Sequence, residues 1–499
     1  MEMEIANLIK RNKLLLLILA ITLLKGLIWA FITPAFQTPD EHRHYATIQH
    51  YAEPENYSPV IKKRTGKLFS FFDISTHNLS PELRNILDRT EFENTCFDYN
   101  GKNYFSKSSS LGPNEKQIRS LKLNRFVERY PPTNVSYTSS YYKMGSIIEN
   151  YLANKNINII ERANVIRILS VLIAVFLVFA SYLIFRELSF NPTESSLLAG
   201  AVSFQPMFSF MGSVINPDIV LFLAFTIFIL GAMKTLRRGL NFQNAFLIFT
   251  GTALAIHAKP PGYFLLLGVL LLVILYILQS RKNRLFLSPL FVKKHTYSSL
   301  LVAISAILML CLAFNKFLSY KFNFVSLEKL KNYILYQFQL PISIDRSATY
   351  WGNFGSPNVP ISNYYIFFIW FILLVSLIGL LLFARKLFQK FREKNQEKQT
   401  LFFQILFLLF IVVGLNLLIH FVNIQGANPK DFGDFYASIG SPGRYFLPAI
   451  CAKFALIAFG LSYFFKKANR EKILFCLLIA MIAFNMTAIF NFIIPRYYL

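Results

Sequence analysis

Eleven apolar runs alternate with polar segments along the chain, near 14–33, 163–185, 196–215, 217–236, 243–258, 262–279, 298–318, 363–384, 401–423, 443–465 and 473–493. A helix needs about 20 apolar residues to cross a bilayer. The pattern predicts an all-α polytopic membrane protein with about eleven transmembrane helices. The first run is too long for the apolar core of a cleavable signal and no small-residue cleavage site accompanies it, so it reads as a retained helix. Two polar segments, 34–161 and 319–362, divide the chain; helices two to seven fall in 162–318 and helices eight to eleven in 363–499. The first is too long to be a plain connector. Within the first, Ser139–Tyr142 followed by Met144, Ile147, Ile148 and Tyr151 has helical spacing, which suits a helix lying on the membrane surface. The stretch 56–135 is broken by Pro, Gly and Ser and reads as an irregular insert. In the second segment, Tyr350–Trp351–Gly352–Asn353–Phe354–Gly355 suggests an ordered loop.

Cations set the expected orientation. With Lys10, Arg11 and Lys13 in the cytoplasm, the alternate loops carry Arg186, then Lys234, Arg237 and Arg238, then Arg281 to Lys294, Arg385 to Lys394 and Lys466 to Lys472. All fall on one side, as the positive-inside rule requires. The N-terminus is then cytoplasmic, and the C-terminus and both long segments are extracytoplasmic.

Composition agrees with a membrane solvent. Hydrophobic residues make up 54% and charged residues only 15%, against about 25% charged in soluble domains. The 53 phenylalanines suit lipid-facing helices and interfacial belts. A formal charge of +25 can signal nucleic acid. Here the cations cluster in short loops between apolar runs, so no nucleic-acid partner is expected. The four cysteines are scattered, with no disulfide framework and no CxxC pair.

Candidate chemistry lies where polar groups interrupt the runs. Thr38–Pro39–Asp40–Glu41 follows the first helix and has the form of a helix start, with Thr38 as cap, Pro39 at the first position and Glu41 closing a capping box. Asp40 and His44 then lie one turn apart on one face. The group suits a general base acting on a hydroxyl or a divalent-cation site. Taken alone, the motif more often means a plain cap with favourable dipole charges. Asp218, in Asn216–Pro217–Asp218, either caps the next helix or faces an outward cavity beside Asp40. Lys259, before Pro260–Pro261–Gly262, either meets a phosphate or snorkels to headgroups. Arg444, in Gly443–Arg444–Tyr445–Phe446–Leu447–Pro448, is an outer-side cation that runs against the orientation bias and suits bidentate contact with phosphate or carboxylate. Arg162, Arg167 and Arg346 are weaker candidates; the first two also suit interfacial anchors. No GxxxxGK[ST], GxGxxG after a strand, GxSxG or HExxH is present, which argues against an ATP-driven pump.

At these stations the chain resembles a family of bacterial polytopic membrane proteins, the domain of unknown function 2142 family, grouped with the GT-C superfamily of membrane glycosyltransferases. The matching pieces are Pro34-x-Phe36-x-x-Pro39-Asp40-Glu41-x-x-His44, Tyr130-Pro131-Pro132 with Tyr137, Arg162-x-Asn164, Asn216-Pro217-Asp218, Lys259-Pro260 with Tyr263, and Gly443-Arg444-Tyr445-Phe446-x-Pro448. They keep the family's order. The chain departs from it in carrying Ser441–Pro442 where the family usually has Gln, and in its insert between Tyr51 and Tyr130.

The resemblance implies a GT-C-like helical core in a bacterial plasma membrane. It implies sugar transfer from a polyprenyl-phosphate donor to a cell-envelope acceptor on the outer face. It carries catalytic roles to Asp40, Glu41 and Asp218, and donor-phosphate contacts to Lys259, Arg444 and Arg162. It allows a divalent cation held by His44 with Asp40 and Glu41. The implied partners are membrane lipids, a lipid-linked sugar and an envelope glycan or lipid acceptor. Two rivals remain: a transporter or flippase of an envelope lipid or polysaccharide, and a non-catalytic scaffold that binds a partner through 34–161. Transporters favour midplane charges and repeats with broken helices, whereas the charges singled out here lie at one edge. The transferase expectation requires Asp40, Asp218, Lys259 and Arg444 to meet at one opening.

Overall fold

The computed structural model describes residues 12–54, 79–89, 139–282, 327–355, 359–391, 396–426, 443–465 and 469–498. They are helical apart from one two-residue strand pair, Asn353–Phe354 against Val359–Pro360. Eight helices among the described residues are long and apolar enough to cross a membrane.

The other three apolar runs differ for separate reasons. The run at 298–318 lies outside the described residues. The run at 243–258 forms the helix Phe242–Ala258, which is 17 residues long and stops at Pro260–Pro261, since proline offers no N–H to continue it. The run at 196–215 is not one helix. It breaks into Pro192–Ser203 and Pro206–Met211. Pro206 cannot continue the first piece, and the Gln205 side chain caps the second by accepting the Phe208 N–H.

A broken helix at membrane depth leaves carbonyls that water cannot reach, so protein groups must satisfy them. Lys25 of the first spanning helix, α1 (Lys13–Ile32), donates to Ser203 O and to Ser209 Oγ (2.8 Å). Asn485 donates to Phe204 O (3.2 Å) and Ser209 Oγ (2.7 Å), and accepts from Trp29 Nε1 (3.1 Å). Lys25 is therefore the donor that closes the break. Lys25→Met takes one of two donors from Ser203 O, which keeps the Ser209 hydroxyl (3.0 Å), a loss worth about 0.5–1.5 kcal/mol. The expected result is a fall of several degrees in thermal unfolding of the detergent-solubilised protein, with no change in the helical content read by circular dichroism.

Successive helices alternate between two ends of the bundle. At one end Glu187 meets Arg238 (2.5 Å), Arg470 pairs with Glu194, and Gln279 reaches Thr400 (2.8 Å). At the other, Tyr497 donates to Gln37 O (3.3 Å) and Tyr498 to Ile32 O (2.8 Å). The centre is the helix Asp218–Arg238, 83% buried over its most apolar stretch, against 28% for Asn363–Gln389 at the periphery. Peripheral helices present rows such as Phe367, Phe368, Phe371 and Leu374 outward, as helices facing hydrocarbon do. Small residues let helices close tightly: a Cβ at Gly460 would lie 2.0 Å from Ser376 O.

Above the second end sit α2 (Glu41–Ala52), α3 (Pro81–Arg89) and α4 (Ser140–Asn154), packed on the start of α5 (Ile159–Glu187). On α4, Tyr141, Tyr142, Gly145 and Glu149 turn inward, while Met144, Ile147 and Tyr151 stay exposed along the opposite stripe.

Candidate functional site at the α2 end of the bundle

The link from α1 to α2 bends through two left-handed non-glycine residues, Phe36 (φ 66°) and Asp40 (φ 58°). Such a conformation costs of order 1–3 kcal/mol and persists only where neighbours over-determine it. Here Glu41 does so. Its fully buried carboxylate accepts from Phe36 N–H (2.9 Å), Ile215 N–H (3.0 Å), Arg167 Nε (2.7 Å) and Arg167 Nη2 (2.6 Å). The remaining guanidinium donors of Arg167 go to Ala30 O, Thr33 O and Pro34 O. One ion pair thus joins the end of α1, the start of α2, the middle of α5 and the entry to the Asp218–Arg238 helix.

That pairing corrects the expected helix start. The helix begins at Glu41, its N-cap is Asp40, and no side chain makes a capping bond there. Thr38 is not the cap, Pro39 lies outside the helix, and Glu41 closes no capping box. A bidentate arginine in a buried site outcompetes a single capping bond for the carboxylate.

With the turn fixed in this way, Asp40 faces outward with its side chain about one-third exposed (34%). Arg444 Nη2 lies 3.8 Å and Arg43 Nη1 3.9 Å from its oxygens. Burial alone would raise its pKa, but Arg444, then His44 and Arg43, hold it below the ordinary carboxylate value. One turn on, His44 shares a proton between Nδ1 and the Tyr142 hydroxyl (2.7 Å), with the two rings stacked at 5.9 Å. His44 also lies within electrostatic reach of Lys259, Asp40 and Asp218.

Asp218 is the first residue of its helix, after Pro217 as N-cap, and is nearly buried. Its carboxylate turns to Lys259 Nζ at 2.5 Å. Lys259 is extended (φ −159°) and is followed by a tight reversal at Pro260–Tyr263. Gly262 makes this possible, because a Cβ there would sit 2.0 Å from Ala255 O. Arg444 is carried by the 3₁₀ turn Gly443–Ala449. The Gly443 N–H donates to Thr349 Oγ1 (2.6 Å), and a Cβ on Gly443 would meet Arg346 O at 2.1 Å. Only glycine fits so close an approach, so the turn is seated on the helix Leu340–Trp351. The Arg444 Nε is buried and has no hydrogen-bond partner among the described residues.

Five of the residues singled out in the sequence are therefore neighbours: Arg444 beside Asp40, Asp40 and Asp218 with Lys259 around His44. Two are engaged elsewhere. Glu41 is the buried staple just described. Arg162, almost fully buried, pairs with Glu149 and with Glu82 (2.6 Å). Tyr45 donates to Glu149 (2.7 Å) and Gln49 to Glu82 (3.1 Å), so Arg162 ties α2, α3, α4 and α5 together. The cation expected of His44, Asp40 and Glu41 does not fit: among the described residues no three His, Cys, Asp or Glu side chains are grouped to hold a metal. Arg167 takes Glu41, Tyr142 takes His44 Nδ1, and Asp40 faces arginines. Sequence reasoning missed Tyr142 as a site residue, and Glu82 and Glu149 altogether. No local spacing reveals them, because their partners lie far along the chain. A polar cavity of about 670 Å³ exists at the opposite end, lined by Arg186, Glu194, Arg237 and Arg470 among others, remote from these groups.

Burial, and next the charge of Lys259, push the His44 pKa down to about 3; burial and Arg43 push His42 to about 4. Both rings are neutral when folded and titrate near 6.5 when unfolded. Lowered pKa values mean that the unfolded chain binds protons first as pH falls, so stability is fully present above about 6.5 and declines below it. Thermal unfolding followed from pH 7 to pH 4.5 is expected to show this decline, and His44→Asn to make it shallower.

The sequence matches the family model described as "Predicted membrane protein (DUF2142)" over residues 23–453. The chain belongs to this family. The matched region runs from within α1 past Arg444 and so includes the whole cluster. No curated protein matches the chain.

Proposed function

We propose that this DUF2142 member is a glycosyltransferase with a GT-C-like core. It moves a sugar from a polyprenyl-phosphate donor to a cell-envelope acceptor at the outer face of a bacterial plasma membrane. The observation that carries this reading is the meeting of two acids and two cations, Asp40 with Arg444 and Asp218 with Lys259, at one end of the bundle around His44. An amphipathic donor keeps its tail in lipid and its phosphate at the interface, which is where these groups stand relative to the spanning helices.

In the proposed reaction Asp40, ionised under the influence of Arg444, takes the proton of an acceptor hydroxyl. The hydroxyl oxygen forms a bond to the anomeric carbon as the bond from that carbon to the phosphate oxygen breaks. The electron pair leaves with the lipid phosphate. Arg444, whose buried Nε has no acceptor among the described residues, and Lys259 stabilise the growing charge. Asp218 orients Lys259, and neutral His44 lines the acceptor side. Glu41 and Arg162 act by positioning.

The test is envelope glycan analysis of a deletion strain complemented with wild type or Asp40→Asn. The reading expects one glycan or glycolipid to be lost in the deletion, restored by wild type and not by Asp40→Asn. Restoration by both refutes it. The break between Pro192–Ser203 and Pro206–Met211, with Lys25 beside it, favours the flippase as second reading, because discontinuous helices are common in transporters. Movement of a lipid-linked sugar across reconstituted vesicles without transfer would support that alternative.

A further inference from the structure

The helix Leu327–Gln337, which precedes Leu340–Trp351, has three faces rather than two. Tyr333, Tyr336 and Gln337 are buried. Leu330, Ile334 and Phe338, four residues apart, form an exposed apolar row, with Phe338 82% exposed. The Phe338 N–H still reaches Ile334 O (3.2 Å), so the row follows the helix to its end. Glu328, Lys331 and Asn332 are exposed on the third side, with Leu335 among them. A helix on a soluble core needs one face for protein and one for water. A helix lying in a membrane interface also keeps an apolar row in lipid.

Two anchors set the depth of this helix pair. Tyr333 shares a proton between its hydroxyl and His420 Nδ1 (3.0 Å), and Trp370 Nε1 donates to Ser347 Oγ (2.8 Å). His420 lies six residues before the end of the spanning helix Gln396–Gly426, and Trp370 seven after the start of Asn363–Phe391. At a helical rise of about 1.5 Å per residue, these anchors stand about 9 and 10 Å inside the helix ends. The two spanning helices have 31 and 29 residues. They are about 46 and 44 Å long, against a hydrocarbon core of about 30 Å. Shared between the two ends, the overhang is about 7–8 Å, so both anchors reach the hydrocarbon edge. Tilt shortens the projected length and lowers the anchors further.

The apolar row also continues a lipid face. Leu340–Trp351 packs on Asn363–Phe391, whose Phe367, Phe368 and Phe371 turn outward at the same level. Tyr364, 85% exposed, and Trp370 supply the aromatic belt that marks a membrane–water boundary. Hydropathy passes over Leu327–Gln337 because every turn of it carries a polar residue beside the apolar one.

We propose that Leu327–Gln337 and Leu340–Trp351 lie in the membrane–water interface, with Leu330, Ile334 and Phe338 immersed in the lipid of the leaflet at the α2 end of the bundle. The segment read from hydropathy as a loop outside the membrane is then in part a membrane anchor. Leu340–Trp351 holds the Gly443 N–H through Thr349, so this anchor seats the Arg444 turn at the level of the headgroups. The inference goes beyond the transferase reading and does not depend on it, because it concerns where the chain meets lipid rather than any chemistry on a sugar.

The test uses the full-length wild-type protein in liposomes of zwitterionic lipid, with two carbene precursors. One is an uncharged aryl diazirine that partitions into the bilayer; the other is a charged alkyl diazirine confined to water. Adducts are mapped by peptide mass spectrometry. The bilayer probe is expected to modify residues 330–338 within about twofold of its yield on 367–374, since both rows share one leaflet. The water probe is expected to mark the exposed Lys155 at the end of α4 and to leave Ile334 and Phe338 unmodified. Modification of Ile334 and Phe338 by the water probe, with or without the bilayer probe, overturns the proposal in favour of a solvated loop. Modification by neither probe overturns it in favour of a protein cover, such as a second copy of the chain. No sugar transfer enters the measurement, so the anchor can fail while the transferase reading stands, and the reverse.

Discussion

Arg167→Leu is expected to leave almost no folded protein. Removing this side chain strips Glu41 of two charge-assisted bonds and leaves a fully buried carboxylate with only the Phe36 and Ile215 N–H groups. Breaking a buried pair by deleting one partner costs about 3–5 kcal/mol, because an uncompensated charge remains. That is comparable with the whole stability of an ordinary domain. At and just after the end of α1, Ala30 O and Thr33 O lose this donor at the same time, and Pro34 O keeps only the Gln37 N–H (3.3 Å). The measurement is the monodisperse peak of a fluorescent fusion in detergent, which should collapse relative to wild type. Arg167→Leu with Glu41→Gln should recover part of the peak, because the stranded charge is gone. Wild-type yield and thermal stability in Arg167→Leu alone would show that the pair is dispensable.

On the proposed transferase reading, Asp40→Asn should do the opposite: abolish transfer and leave the fold intact. A positioned general base contributes about 10²–10⁴-fold, so activity is expected to drop by about three orders of magnitude. The structural cost is small, because Asp40 is one-third exposed and meets its arginines only at 3.8 and 3.9 Å. Pairs of this kind contribute about 0–1 kcal/mol. The contrast with Glu41 is sharp for residues adjacent in sequence. Glu41→Gln should lower the melting temperature, and whatever activity it loses should follow the loss of folded protein. The readouts are thermal unfolding and transfer per mole of folded protein. If Asp40→Asn melts far below wild type, Asp40 is structural and the division of labour between the two acids is wrong.

Much of the architecture is written in local order. Runs such as 14–33 and 401–423 carry enough apolar residues to commit themselves to the membrane whatever else the chain does. Hydropathy fails where a run's average hides its punctuation. The run 196–215 is apolar on average, yet Gln205–Pro206 break it, and Lys25 and Asn485 from other helices, with the local Ser209 hydroxyl, take the carbonyls at the break. A hydropathy window also has no term for the Pro260–Pro261 stop, which limits Phe242–Ala258 to 17 residues.

By itself the sequence determined that polar and ionisable groups collect where apolar runs end, since hydrocarbon excludes them from the runs. Asp40, Asp218, Lys259 and Arg444 could all be picked out on that ground. Which acid meets which cation was decided only by tertiary structure. Arg167 and Glu41 are separated by 126 residues, and helix-start patterns treat Glu41 as a local group. Once desolvated, a carboxylate is governed by the nearest guanidinium in space, and that competition made Glu41 a staple, left Asp40 partly exposed, and drew Arg162 away to Glu82 and Glu149.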